Sequence, residues 1–413
     1  MDPKRWILFI LSTAALQFLI DVYVIRAWQS FVKSHGWSAW LYRPLWAICI
    51  ALLVLSPYIS YQRSNHARLE EWMFILFIVA TLWYLPKLPI ATVLLVRDIT
   101  RGCVWLWNKI IPQRKQMDVQ HETVAMPSRR AALQASAWGM AAIPFIIVGK
   151  GIANADNITV HEHDIELPKL SSAFDGIRIA QISDIHAGSW RDAKPFGEAR
   201  RIIEQLKPDL LLITGDFVNF QADELKIIRT ELERLKAPMG VWASLGNHDH
   251  YSRNQDHTLL KSVIKNTGIR LLVNENHSFD VNGEKLQLIG TDNTGLGQTF
   301  ADLPAALVGV DVNYPTILMA HDPTFWDKEV REKTMIDLML SGHTHGGQVG
   351  MTFMGTEYSV AQLVYKQWAG LYNDGGQFLY VNRGLGTVGP PIRIGIPPEV
   401  TLLTLRKQKP LLG

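Results

Sequence analysis

Long apolar runs dominate the first part of the chain, at residues 6–25 (WILFILSTAALQFLIDVYVI), 44–62 (PLWAICIALLVLSPYISYQ) and 72–96 (WMFILFIVATLWYLPKLPIATVLLV). Each is close to the ~20 residues that cross a bilayer, and none has a polar face, so three transmembrane helices are predicted. Asp21 and Lys87 interrupt two of them. A carboxylate facing lipid is costly, so Asp21 is expected to turn toward another helix, and Lys87, between Pro86 and Pro89, to lie at a break or near an interface. A fourth run, residues 131–148, carries no charge and follows Ser128-Arg129-Arg130. The tripeptide is similar to a twin-arginine export signal, but Ala132 stands where phenylalanine is usual, and a basic cytoplasmic anchor for a fourth span is favoured.

From about residue 158 the periodicity shortens. Strand-length apolar runs at 158–167, 177–183, 210–214, 241–245, 286–289, 317–320, 338–341, 378–382 and 400–405 alternate with amphipathic segments and turns. Phe196, Ala199, Ile203 and Leu206 form one helical stripe, and Leu225, Ile228, Leu232 and Leu235 a second. The expected architecture is a membrane domain of about four transmembrane helices over 1–150, followed by an α/β (layered α+β) domain over 151–413.

Composition sharpens this division. A chain of 413 residues exceeds the ~250–300 at which one core stops growing. With 48% hydrophobic and 19% charged residues it is not a disordered tail. A net charge of +3 conceals +9 over residues 1–150 and −6 over 151–413, and ten of the 14 tryptophans fall in the first part. Indole rings suit membrane–water boundaries. The basic residues are scattered over the expected loops 26–43 and 97–130 instead of forming a dense stripe, so no nucleic-acid partner is expected. The same residues place those loops in the cytoplasm, and four spans then put residue 151 outside; a fifth crossing by the amphipathic stretch 104–111 would change the count. Cys49 and Cys103 both precede residue 151, which leaves the second domain without a disulfide framework or a cysteine zinc module.

Candidate chemistry lies where the expected strands end. The turns read Asp184-Ile185-His186, Gly215-Asp216, Gly246-Asn247-His248-Asp249, His321-Asp322 and Gly342-His343-Thr344-His345-Gly346, and they hold five of the 13 histidines. Residues separated by one position share a face of an extended segment, so both members of Asp184/His186 or His343/His345 can approach one metal centre. Imidazole and carboxylate without thiolate suit Zn, Mn or Fe. A lone Gly-Asp or Asp-x-His is usually a turn. Weight comes from all five blocks in this order.

That order resembles the calcineurin-like metallophosphoesterase superfamily, whose blocks are D-x-H, G-D, G-N-H-[DE], H and G-H-x-H. The likeness covers residues 176–386, or 158–405 with flanking strands. His345-Gly346-Gly347-Gln348, Asn382-Arg383-Gly384-Leu385-Gly386 and Pro397-Pro398-Glu399 are similar to its membrane-associated bacterial branch, typified by YkuE and YaeI. The resemblance implies a central β-sandwich flanked by helices and two divalent metal ions (Mn, Zn or Fe). Asp184, His186, Asp216 and His345 would surround one metal and Asp216, Asn247, His321 and His343 the other, with Asp216 bridging and a metal-bridged hydroxide attacking phosphorus. His248 would face the phosphate as the catalytic residue, oriented by Asp249 or Asp184, while His250 has no place in the motif. After Gly215-Asp216 the chain reads Phe217-Val218-Asn219-Phe220, without the second acid and the arginine of Ser/Thr protein phosphatases, which disfavours that activity; Arg383 is the candidate substitute.

The expected function is that of a membrane-anchored dinuclear-metal phosphoesterase. It would sit in the bacterial cytoplasmic membrane with its catalytic domain outside, acting on a phosphoester substrate, lipid-linked or of the cell envelope. A cytoplasmic site would instead favour a UDP-2,3-diacylglucosamine pyrophosphatase of lipid A synthesis. A non-catalytic metal-binding sensor or scaffold is disfavoured by the filled ligand positions. Nothing in the sequence fixes an oligomeric state.

Overall fold

The computed structural model describes residues 3–65, 70–110, 136–251, 254–295 and 297–408. The chain forms two compact units, the first built on Met1–Gln62 and Glu70–Lys150, the second chiefly on Gly151–Gly413.

The first unit contains α1 (Pro3–Ser34), α2 (Arg43–Asn65), α3 (Glu71–Tyr84), α4 (Lys87–Ile110) and most of the helix Ile143–Ala153. Among the described residues, four segments are long and apolar enough to cross a membrane: Ile10–Ser34, Ala39–Gln62, Glu71–Ile110 and Ser136–Ala153. The third of these is not one rod. Pro86, which has no N–H to donate, separates α3 from α4 and leaves Lys87 at the start of the second piece. There the Lys87 Nζ reaches Asp21 Oδ1 of α1 at 2.5 Å, and Trp83 Nε1 donates to Asp21 Oδ2 at 3.0 Å. Both charges are buried. The two polar interruptions of the apolar pattern therefore answer each other, which is how ionisable groups persist among lipid-facing helices.

One expectation is corrected. Arg97, Arg101 and Lys109 stand on α4, not in a loop beginning at 97, because α4 continues without a break to Ile110 and so takes in most of the stretch 104–111. At ~1.5 Å per residue a helix of 24 residues is ~36 Å long. Residues 111–135, including Ser128-Arg129-Arg130, lie outside the described residues.

The second unit is a pair of six-stranded sheets. The first has the order β1 (Thr159–Leu167), β16 (Glu399–Lys407), β2 (Arg178–Ile182), β3 (Leu210–Thr214), β4 (Val241–Ser244), β5 (Arg270–Leu271). The second runs β14 (Gly370–Asp374), β15 (Gln377–Val381), β11 (Leu338–Ser341), β10 (Thr316–Met319), β7 (Glu284–Gly290), β6 (Glu275–Val281). Two hairpins stand apart from the sheets, β8 (Thr294–Gly295) with β9 (Gln298–Thr299), and β12 (Gly350–Phe353) with β13 (Thr356–Ser359).

Period-two alternation divides the buried side chains among three layers. Ile317 and Met319 of β10 and Leu338 and Leu340 of β11 share a core with Ile179, Leu210 and Leu212 of the first sheet. The intervening Leu318 and Met339 pack outward with Leu303, Phe325 and Trp326. On the other side, Ala180, Ile182, Leu211 and Ile213 join Phe196, Ala199 and Ile203 of the helix Lys194–Leu206. The second expected stripe is also buried there, but it is carried by a 3₁₀ turn, Ala222–Ile227, and a short helix, Arg229–Glu233, in place of one helix. The result is a β-sandwich flanked by helices. Strands β2, β3 and β4 are mutually parallel, as are β7, β10 and β11. Their C-terminal ends open on one edge of the sandwich, the place where open α/β sheets present ligand-binding loops.

Candidate metal centre

Asp184 and His186 follow β2, Asp216 follows β3, Asn247 and His248 follow β4, His321 follows β10, and His343 and His345 follow β11. Short backbone bonds splice these turns together: Asp184 N donates to Gly215 O and His186 N to Asp216 O, both at 3.0 Å, while Gly342 N donates to His321 O, also at 3.0 Å. Gly215, at φ +84°, admits the approach of its neighbours, since a Cβ there would lie 2.6 Å from Gly246 N and 2.8 Å from His321 Nδ1. Asp184, His186, Asp216, His343 and His345 all have left-handed φ between 44° and 71°. Such conformations are uncommon outside glycine and gather at functional sites.

The folded chain brings every residue of the expected set to this edge. Asp184, His186 and His345 form one group and Asp216, His321 and His343 another, with ligand atoms within 4.8 Å of one another in each. In the first, His345 Nε2 lies 3.2 Å from Asp184 Oδ1 and 3.0 Å from His186 Nε2. In the second, His321 Nε2 lies 3.0 Å from Asp216 Oδ2. The same Asp216 Oδ2 is 3.5 Å from His186 Nε2, so one carboxylate oxygen lies between the two groups. Asn247 turns its Oδ1 toward His343 Nδ1 at 2.7 Å, because its Nδ2 donates to Tyr251 Oη at 2.8 Å.

Burial shapes the charges. It opposes ionisation of Asp184 and Asp216, yet the imidazoles around them hold both carboxyls below the usual range. His321 is pulled down by burial but carried up to about 10 by Asp216 and Asp184. Burial lowers His343 and His345 below the ordinary histidine value. In the metal-free protein, then, a proton on His321 supplies part of the positive charge that two buried carboxylates require. His186 Nδ1 and His345 Nδ1 are buried without a hydrogen-bond partner among the described residues. Orphaned ring nitrogens beside paired carboxylates are the donor set of borderline divalent cations, and the residues present fit them.

Two expectations about the surroundings are corrected. His248 is not oriented by Asp249 or Asp184. Asp249 is spent on backbone, accepting from Asp216 N and Gly246 N at 2.9 Å and Phe217 N at 2.8 Å, and burial lifts its carboxyl to about 7. Asp184 accepts from His343 N. The partner of His248 Nδ1 is the carbonyl of Asn219 at 2.8 Å, so Nδ1 carries the hydrogen and Nε2 is left for the site; burial pushes this histidine down to about 4. Arg383 does not substitute for the missing phosphate-binding arginine. It is buried with Nη1 on Glu399 and Nη2 on Glu357, both at 2.6 Å. His250 stands beside the groups, its Nε2 2.6 Å from Asp292 Oδ1 and its ring stacked between His257 and Phe300.

Sequence reasoning missed Glu224. Its carboxylate is buried and accepts from four backbone N–H groups, Asn219 at 2.6 Å, Phe220 at 2.9 Å, Gly188 at 3.0 Å and Gln221 at 3.2 Å. It thereby ties the turn after β3 to the turn after β2 and fixes the Asn219 carbonyl on which His248 rests. The signal was a Gln221-x-x-Glu224 spacing, a capping box at the start of the 3₁₀ turn. Tyr365, whose hydroxyl is 3.0 Å from His343 Nε2, was missed as well.

Comparison with known proteins agrees with this geometry. The family model described as calcineurin-like phosphoesterase matches residues 177–347. That described as probable calcineurin-like phosphoesterase, transmembrane domain, matches residues 4–155. An uncharacterized metallophosphoesterase of Aquifex aeolicus is 32% identical over 255 residues, 60% of this chain and 92% of that one. The uncharacterized metallophosphoesterase YkuE of Bacillus subtilis is 30% identical over 68% of this chain and 98% of its own length. The phosphodiesterase YaeI of Escherichia coli is 30% identical over 55% and 82% respectively. The chain is a membrane protein that belongs to the calcineurin-like metallophosphoesterases and joins a transmembrane domain to the phosphoesterase domain.

Proposed function

We propose that this protein hydrolyses a lipid-linked or cell-envelope phosphoester at a centre of two divalent cations. The observation that carries the proposal is the placement of Asp216 Oδ2 between Asp184, His186 and His345 on one side and His321 and His343 on the other. Paired divalent cations supply Lewis-acid polarisation of phosphoryl oxygens and lower the pKa of water. The chain's own residues do the rest. Thr214 O receives the Nδ1–H of His321 at 2.6 Å and so fixes the tautomer that presents Nε2 as a ligand. Tyr251 turns the Asn247 amide oxygen inward, a neutral donor that limits negative charge where an anion must bind. His248, held at Nδ1 by the Asn219 carbonyl, presents a bare Nε2 that can take a proton from the attacking water and return it to the departing oxygen.

A lipid or envelope substrate is supported by the transmembrane domain, which keeps the site beside headgroups and raises their effective concentration. Bacterial relatives support the cytoplasmic membrane, and Arg114, Lys115, Arg129 and Arg130, between the third and fourth apolar segments, support an outward-facing catalytic domain. Two measurements test these statements. Hydrolysis of a model phosphodiester by purified full-length protein is expected to vanish with chelator and return with Mn or Zn; full activity after metal removal overturns the mechanism. Impermeant reagent is expected to label Thr230→Cys, at an exposed position of the helix Arg229–Glu233, from outside the cell; labelling from the cytoplasm alone overturns the orientation and promotes the UDP-2,3-diacylglucosamine pyrophosphatase reading.

A further inference from the structure

The segment between His345 and Tyr365 exposes a run of large apolar side chains. In hairpin β12–β13, Met351, Phe353, Met354 and Tyr358 are exposed, Met354 to 89%, and in the turn that follows, Leu363 and Val364 are exposed to 86% and 74%. Residues 350–364 contain no lysine or arginine, and their one acid, Glu357, is held by Arg383. A charge-free apolar surface of this kind is rare on a folded domain and marks a docking face for something apolar.

Both ends of the segment enter the candidate metal centre. At its start, Gly346 O, next to His345, accepts from Ser359 Oγ. At its end, the Tyr365 hydroxyl sits at His343 Nε2. The base of the hairpin is equally tied to the point where this unit joins the apolar helix Ile143–Ala153. Gly151, the first residue of the unit after the helix crosses into it, receives the Arg393 N–H at 3.0 Å. One residue on, Gly350 N donates to Ile394 O and Ile394 N to Gln348 O, both at 2.8 Å. Three short steps therefore connect the covalent attachment to the membrane domain, the root of the apolar hairpin and the metal-ligand turn.

We infer that the hairpin β12–β13 and the turn after it are an interfacial docking element that inserts its apolar side chains into the bilayer and delivers a lipid phosphoester headgroup to the centre beside it. The occupant is the lipid surface because a membrane is always at the attachment point, and because the segment offers apolar area without charges for a protein partner or an anionic polymer to read. Phe353 and Met354, at the tip, would enter the acyl region while Met351 and its cross-strand partner Tyr358 stay at the headgroup level, where amphipathic rings are enriched. The role in substrate delivery rests on the phosphoesterase proposal; insertion itself does not.

The test uses the full chain in nanodiscs of phosphatidylethanolamine and phosphatidylglycerol, with Cys103→Ala removing the exposed thiol and Cys49 buried. An environment-sensitive dye on Met354→Cys is expected to shift to the blue and to be quenched by lipids carrying a nitroxide on the acyl chain, while the same dye on Thr230→Cys does neither. A dye at 354 that behaves as in water overturns the inference, and so does one shielded without lipid quenching, which would point to a second copy or another protein. In a separate arm, the triple variant Met351→Ser, Phe353→Ser, Met354→Ser is expected to lose at least ~10-fold in hydrolysis of vesicle-borne phospholipid, the order expected when buried apolar side chains are removed. It should keep its rate on a soluble phosphodiester within ~2-fold. Equal losses on both substrates overturn delivery by the hairpin. A wild type that hydrolyses neither substrate refutes the phosphoesterase proposal, and the dye still decides the docking.

Discussion

Removing the Glu224 carboxylate tests whether a group that touches neither metal nor substrate sets the chemistry. Glu224→Ala leaves four backbone N–H groups of residues 188 and 219–221 without their acceptor. Hydrogen bonds to a charged acceptor contribute ~1.5–3 kcal/mol each, and water entering the space replaces some of them, so a net loss of ~2–4 kcal/mol in stability is expected. The effect on rate travels through Asn219, whose carbonyl holds His248 at 2.8 Å. Loss of an acid–base group lowers turnover by ~10²–10⁴-fold, and a misaligned one by less, so kcat should fall by ~10–10²-fold. The assay is turnover of a soluble phosphodiester at saturating metal, with bound metal measured on the same sample. His248→Ala supplies the reference: it should retain metal while losing turnover. The double variant should be little worse than His248→Ala alone, because residues acting through one another are not additive. An unchanged kcat in Glu224→Ala, or additive losses in the double variant, would refute the reasoning, and loss of metal in step with activity would show that Glu224 shapes the metal groups instead.

Two further outcomes follow from the same geometry. Asp216→Asn should weaken both halves of the centre and lower activity far more than His250→Ala, since His250 contacts Asp292 and not the groups themselves; equal losses in a turnover assay would contradict the assignment. The contribution of His248 to the stability of the metal-free protein should be lost as pH falls, against an opposite contribution from Asp249. Burial holds His248 at about 4, below its ordinary 6.5, so its contribution is intact above pH 6.5 and is lost between about 6.5 and 4, where the unfolded chain takes up the proton first. The unfolding temperature of the wild type relative to His248→Gln should fall across that window as pH drops, and a constant difference would show that the histidine is not held neutral.

Much of the centre was legible in the sequence because each of its side chains sits at the end of a fully buried strand. β3, β4, β10 and β11 are buried along their whole length and were read within a residue or so of their bounds. The strands that escaped notice have no such pattern. β6 reads ENHSFDV and lies at a sheet edge with most side chains exposed, and β12 and β13 pair only with each other, so no core imposed alternation on them. Backbone roles were equally hidden. The carbonyl of Asn219 orients His248, and an acceptor that every residue possesses leaves no mark in the sequence; the nearby acid Asp249 was the natural but incorrect choice. Arg383 illustrates the converse. A cation in a motif-rich turn suggests a phosphate contact, but its distant partners Glu357 and Glu399 could not be foreseen. In the membrane unit the two polar interruptions could be flagged, whereas their pairing across 66 positions required the fold.

The central claim is that two cations, shared through Asp216, perform the hydrolysis. Metal-free full-length protein titrated with Mn, with bound metal counted by elemental analysis at each point and turnover of a phosphodiester followed in parallel, tests it most directly. The account predicts negligible turnover without metal, a rise to full rate as occupancy reaches about two per chain, and no such rise in Asp216→Asn. Full turnover with no metal bound, or a rate already maximal at one cation per chain, would contradict it.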